Sequence, residues 1–204
     1  FYDFFPLPAH RLGLVIADVS DKGVPAALFM ALSRNVMRAI AGEGRPPAAT
    51  LGRVNDLLLA DSRSGMFVTL FYGILDTETG DLALASAGHN PAYLRRANGQ
   101  LERLLCRGIA LGVIERPAFE ERRVRLDPGD ALVLYTDGLT ESFDGEEHEF
   151  GEEGLQAALR ALVEKNIRDY GQDMLVEEYI PGREFTVGIL GNGKDARVFP
   201  SMEI

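Results

Sequence analysis

Ala131-Leu-Val-Leu-Tyr-Thr-Asp-Gly138 decides how this chain is read. An unbroken apolar run, Ala131 to Tyr135, meets solvent at Thr136-Asp137-Gly138. A short continuous apolar run bounded by turn residues reads as a strand buried on both faces. Leu12-Gly-Leu-Val-Ile-Ala17 has the same form and is also followed by an aspartate, Asp18. Two carboxylates at two buried strand ends supply what a hard divalent cation prefers, oxygen ligands on a fixed backbone. Asp also favours turns and helix caps, so either residue alone reads as well as a turn residue. The two together, with Gly138 allowing close backbone approach, favour a metal.

Working outward, Ser20 to Gly23 end the first strand, and Pro25 suits the first turn of a helix, where its missing N–H costs nothing. Leu28, Leu32, Val36 and Ile40 recur at helical spacing up to Gly42–Gly44. Pro46-Pro47 restarts the chain, and Leu51, Val54 and Leu58 predict a second helix to about Asp61. Strand patterns follow over 66–76, 81–87, 92–96, 101–105, 121–126 and 131–136, with turns such as Thr77-Glu-Thr-Gly80 between them. Residues 152–162 read as a helix, with Leu155, Leu159 and Leu162 on one face. After about Glu164 the character changes to short strand patterns over 174–180, 184–190 and 197–204.

Composition narrows the class. The 204 residues are 46% hydrophobic and 25% charged, which suits a globular domain that needs no disulfides. The single Cys106 excludes an internal disulfide and a cysteine-rich metal site, and fits a reducing cytoplasm. A net charge of −10 argues against nucleic acid and anionic membranes as partners. No apolar run reaches the ~20 residues of a spanning helix. The chain opens without Met inside an apolar segment, Phe1-Tyr-Asp-Phe-Phe5, which reads as a strand met midway and predicts an N-terminal truncation.

Other polar residues carry less. Asp21 precedes Gly23 and a helix start and reads as a cap or turn residue; Asp3 is ambiguous. Ser20 has no His at an informative spacing, so a serine nucleophile is rejected. Ala87-Gly-His-Asn-Pro91 interrupts two strands. His89 there either hydrogen-bonds backbone in a structural loop or positions substrate or water beside an active site, and it is not assigned as a general acid. His10, His148 and Glu141 read as surface residues.

Five segments in register carry a resemblance: Phe1-Tyr-Asp-Phe-Phe5, Ile16-Ala-Asp-Val-Ser-Asp-Lys-Gly-Val-Pro-Ala-Ala-Leu-Phe-Met30, Phe67-Val-Thr-Leu-Phe-Tyr-Gly73, Ala87-Gly-His-Asn-Pro-Ala92 and Leu134-Tyr-Thr-Asp-Gly-Leu-Thr-Glu141. Together they resemble the bacterial stress-response and sporulation branch of the metal-dependent (PPM/PP2C-type) serine/threonine phosphatases. The resemblance implies an α+β fold, a four-layer α/β/β/α sandwich of two antiparallel sheets flanked by helices. It also implies two Mn²⁺ or Mg²⁺ ions at one edge, with Asp18 matching the Asp that bridges both, Val19 contributing its carbonyl and Asp137 holding the second ion. In such enzymes a bridging water or hydroxide attacks a phosphoserine or phosphothreonine in line, and no phosphoenzyme forms. The implied partner is a phosphorylated regulatory protein of the anti-anti-sigma type, in the cytoplasm, with an upstream sensory domain a further implication.

The departures set expectations too. Members of the branch carry Gly-Gly-Asp directly before the Phe-Tyr-Asp segment, and end with an Asp-Asp-hydroxy pattern before a last strand. This sequence starts after the first, and Asp195 in its Gly-Lys-Asp turn does not match the second. Weak activity is therefore expected of the chain as it stands. Met174 to Leu190 and Phe199 to Ile204 resemble the central part of ATP-grasp D-alanine–D-alanine ligases, with Glu177 near the adenine hinge and Glu184 at the ribose position. The division drawn is a phosphatase domain over 1–164 and a ligase-like fragment over 165–204. The tail lacks room for a glycine-rich loop, a phosphate-binding Lys and acidic Mg²⁺ ligands, so a β appendage that binds no ATP is favoured for it. The alternatives to an active phosphatase are a non-catalytic remnant of the fold and, with least sequence behind it, a nucleotide-binding fragment.

Overall fold

The two apolar runs lie in different sheets, and side-chain alternation explains how each is buried on both faces. A computed structural model describes residues 1–61, 65–143, 148–170 and 188–191. Its elements are β1 (Tyr2–Leu7), β2 (Arg11–Val19), α1 (Val24–Ala41), α2 (Pro47–Asp61), β3 (Val68–Asp76), β4 (Asp81–Ala87), β5 (Ala92–Arg95), β6 (Leu101–Leu104), β7 (Glu121–Arg125), β8 (Ala131–Leu134), α3 (Asp137–Thr140), α4 (Gly151–Tyr170) and β9 (Gly188–Gly191). A five-stranded sheet runs β1-β2-β3-β4-β7 and a four-stranded sheet runs β6-β5-β8-β9, with every pairing antiparallel.

Successive residues of a strand point to opposite faces. On β2, Val15 and Ala17 join α1 and α2 in one core layer, while Leu14 and Ile16 face the second sheet. On β3, Leu70, Tyr72 and Ile74 go to the helices and Phe71 and Leu75 to the inter-sheet layer. On β8, Leu132 and Leu134 meet the first sheet, while Val133 and the following Tyr135 meet Leu155 and Leu159 of α4. These three apolar layers between four structural layers are the α/β/β/α sandwich expected. Each fully buried Leu, Val or Phe stabilises it by roughly 1.5–3 kcal/mol.

The structure corrects several boundaries. The buried face of α1 is Ala26, Phe29, Ser33, Met37 and Ile40, and Leu28 is 68% exposed. The expected stripe was therefore rotated, because Leu32 and Val36 only flank the core at a helix with apolar residues on both sides. Gly23, with φ at +86°, precedes α1 as its N-cap, and Asp21 at φ +71° forms the turn before it. α4 runs to Tyr170, past the Leu162 where the apolar spacing fades. Of the tail, β9 pairs with β8 in the register Ala131↔Gly191 to Leu134↔Gly188 and extends the second sheet. The other strand patterns after Tyr170, with Glu177 and Glu184, lie outside the described residues. Among the described residues no helix is long and apolar enough to cross a membrane.

Candidate metal site at the strand ends

Asp18 is the penultimate residue of β2, opposite Thr69 of β3. Asp137 opens α3, a single helical turn that follows β8 directly after Tyr135 and Thr136. The sequence reading had a plain turn there. The short helix forms because Leu139 and Thr140 are buried, and Leu139 joins Tyr135 and the α4 leucines. The two aspartates thus come from different sheets yet face each other electrostatically. Partial loss of water and then the nearby Asp137 carboxylate raise the Asp18 pKa above the ordinary carboxylate value.

Both carboxylates keep access to solvent. Among the described residues neither carries an ion pair, although ten such pairs form elsewhere. Val19 lies opposite Val68 in a pair whose peptide groups turn away from each other. Its strand mate Val68 donates its N–H to Leu111 O at 3.1 Å and accepts the Leu111 N–H at 2.9 Å. Two carboxylates without a salt bridge, with the Val19 backbone carbonyl next to one of them, offer oxygen donors of the kind that suit Mg²⁺ or Mn²⁺. Among the described residues no group of three or more His, Cys, Asp or Glu side chains has metal-binding geometry.

The remaining candidates fall into place around this pair. Ser20 Oγ accepts the Phe67 N–H at 2.9 Å and closes the β2–β3 ladder, which is a structural task. Asp3 is buried on β1 and faces α1, where Arg34 Nε lies 3.2 Å and Arg38 Nε 3.7 Å from Oδ2. The two arginines stand one helical turn apart, a spacing visible in the sequence though its acidic partner was not. His10 sits in the β1–β2 turn at φ +54° near Glu78. Glu141 caps α3 from an exposed position, and His148 is exposed as well.

His89 is the residue whose position the sequence left open. It is 7% exposed, and its Nδ1 lies 2.9 Å from Thr69 Oγ1. Burial pushes its pKa down to about 4, against a smaller opposing pull from the Tyr135 backbone, so the ring is neutral at pH 7. Gly88 before it, at φ +69°, has the Ala110 backbone N 3.1 Å from where a Cβ would stand, so glycine is required there. Thr69 gave no signal of its own, since a strand Thr twenty positions away carries no spacing rule.

The family model for Stage II sporulation protein E (SpoIIE) matches residues 8–180. The chain belongs to this family. It is 33% identical over 188 residues to Protein IcfG of Synechocystis, covering 79% of this chain and 30% of that protein. It is 29% identical over 179 residues to Phosphoserine phosphatase RsbU of Bacillus subtilis, covering 87% of this chain and 52% of that one. The chain therefore spans 30% of the length of one of these relatives and 52% of the other. The solved PP2C phosphatase domain of Bacillus subtilis SpoIIE, 19% identical, superposes with a TM-score of 0.71 over 93% of this chain and 57% of that one. The family match runs past residue 164, where the second segment was drawn, and nothing in these likenesses supports the ligase reading of 165–204.

Proposed function

We propose that this domain hydrolyses phosphoserine or phosphothreonine on a regulatory protein of the anti-anti-sigma type, with two Mn²⁺ or Mg²⁺ ions as cofactor. The observation that supports the reading is the electrostatic proximity of the Asp18 and Asp137 carboxylates, which with partial loss of water raises the Asp18 pKa against the pull of the N-terminal ammonium. Likeness to a phosphoserine phosphatase points the same way. The phosphatase domain is drawn as 1–164, with β9 of the tail as an added strand.

In this reading the Asp18 and Asp137 carboxylates and the Val19 carbonyl hold the ions. When bound, the ions supply Lewis acidity toward the phosphoryl oxygens and lower the pKa of water. The protein's own part is mainly electrostatic. Two bare carboxylates repel a phosphate dianion, so phosphoester binding depends on the cations they hold. Strand ends keep the carboxylates in place, which spares reorganisation during phosphoryl transfer. Ser20 is tied to the Phe67 N–H and the His89 ring is buried, which argues against either as a phosphoryl acceptor. Water then takes that part and the product is inorganic phosphate.

The test is phosphate release from a serine-phosphorylated anti-anti-sigma protein. Release that needs Mn²⁺, stops with a chelator and falls by roughly 10²-fold or more in Asp18→Asn is expected, since even outer partners of metal ligands are worth 10–100-fold. The rate should rise when Gly-Gly-Asp is placed before Phe1. No release with or without that addition would overturn the reading.

A further inference from the structure

We propose that His89 is a positioning residue, a cross-sheet pin that sets the separation of Asp18 and Asp137. Its functional consequence rests on the metal reading above; its geometric content does not.

The two sheets meet through an apolar layer, and apolar contact is non-directional. Such a layer holds the sheets together without fixing how one slides over the other. Directional contacts must do that, and at the end away from Asp18 they are plain. Arg96, just after β5, donates to Arg125 O of β7 at 2.6 Å and to Asp130 Oδ2 at 2.8 Å. Glu102 of β6 pairs with Arg122 of β7.

At the Asp18 end the corresponding element is the loop 88–91, where the chain crosses from β4 in the first sheet to β5 in the second. Ser86 Oγ accepts the His89 N–H at 3.1 Å and lies 3.3 Å from His89 O, which fixes the His89 backbone on both sides. The ring then reaches Thr69 on β3, whose Oγ1 is 2.9 Å from Nδ1 and 3.4 Å from Asp18 O. Thr69 has one hydroxyl proton. That proton goes either to Nδ1 or to Asp18 O, and the ring tautomer decides which. On the other side the ring bears on the backbone of Tyr135, and Asn90 bonds the Tyr135 side chain. Tyr135 is joined to Asp137 through Thr136 alone. One loop therefore holds the residue facing Asp18 and the residue leading into Asp137.

A general-acid role does not fit this placement. The ring is 7% exposed and its Nε2 has no hydrogen-bond partner of good geometry, so it is shut off from substrate and water. A neutral, buried, directional bond across two sheets is what a spacer needs.

The experiment compares wild type with His89→Ala, His89→Gln, Thr69→Val and Thr69→Ser by crystal structure and by calorimetric titration with Mn²⁺. His89→Ala should widen the Asp18–Asp137 separation and weaken Mn²⁺ by ~10–100-fold, the usual cost of losing an outer-shell partner. Gln, which can accept from Thr69 and donate toward Tyr135, should restore most of both. Thr69→Val should follow Ala, and Thr69→Ser should follow wild type. Should His89→Ala not fold, the Thr69 pair decides. A merely structural role would lower the melting temperature while leaving Mn²⁺ affinity unchanged, and that result overturns the proposal, as does an unchanged carboxylate separation. Wild type that binds no Mn²⁺ sinks the metal reading instead, and the separation alone then decides this one.

Discussion

Asp18 and Asp76 stand at opposite ends of the same pair of strands, and their surroundings differ completely. β2 and β3 run antiparallel, with Asp18 opposite Thr69 and Asp76 opposite Arg11. Asp76 accepts the N–H groups of Glu78 and Thr79 at 3.0 and 2.9 Å, and these bonds hold its pKa below the ordinary carboxylate value. Asp130, 4% exposed in the turn before β8, is likewise satisfied by the N–H groups of Ala97 and Asp127 and by Arg96. Asp18 loses part of its water and lies near the Asp137 carboxylate, and these outweigh the N-terminal ammonium and the Val19 N–H, so its pKa moves the other way. A strand-end Asp that organises a turn is surrounded by donors. One kept for a cation has fewer of them and a second carboxylate nearby, at a cost in like-charge repulsion. Sequence shows both as an aspartate after an apolar run.

Stability should separate the two kinds. Asp130→Ala removes the acceptor of three donors and is expected to cost about 2–3 kcal/mol, at the lower range for a broken buried pair because Arg96 keeps 28% exposure. Asp18→Ala, measured without metal, should leave the urea midpoint unchanged or raise it. A loss from Asp18→Ala equal to that from Asp130→Ala would erase the distinction.

Acid sharpens the contrast. Burial works to raise the Asp130 pKa, but the N–H groups of Asp127 and Ala97 and the Arg96 guanidinium outweigh it, and the net shift is downward. A depressed folded pKa means that Asp130 contributes its stability fully above the unfolded carboxylate value of about 4 and loses it as pH falls through the folded value. The urea midpoints of wild type and Asp130→Ala should therefore converge on acidification below that range. A constant gap down to low pH would show that the charge of Asp130 is not what stabilises the turn. The smallest effect is expected from Asp76→Ala, whose exposed turn bonds compete with water; its midpoint should shift less than that of Asp130→Ala.

The same contrast explains what could be read from the chain. β2 and β8 were legible because both faces are buried and the apolar runs are continuous. Asp18 and Asp137 were legible as strand-end residues. Their meeting was not, since it depends on the packing of two sheets and no spacing encodes that. Asp3 stayed ambiguous for the same reason, its arginines lying on a helix thirty positions on. The segment 105–120 has no periodicity to read. It is held by tertiary contacts, the Val68↔Leu111 bridge and the Asn55 side chain bonded to Gly112 N at 3.0 Å and Ile114 O at 3.0 Å. His89 was visible within its motif, but its role depended on Thr69 and Tyr135, which only the fold brings to it.

The most direct measurement is a calorimetric titration of Mn²⁺ into wild type, Asp18→Asn and Asp76→Asn. Saturable binding in wild type and in Asp76→Asn, with loss of at least ~10–100-fold in affinity in Asp18→Asn, is the result predicted for a carboxylate kept free for a cation. Equal binding by all three proteins would contradict it and place any metal elsewhere on the domain.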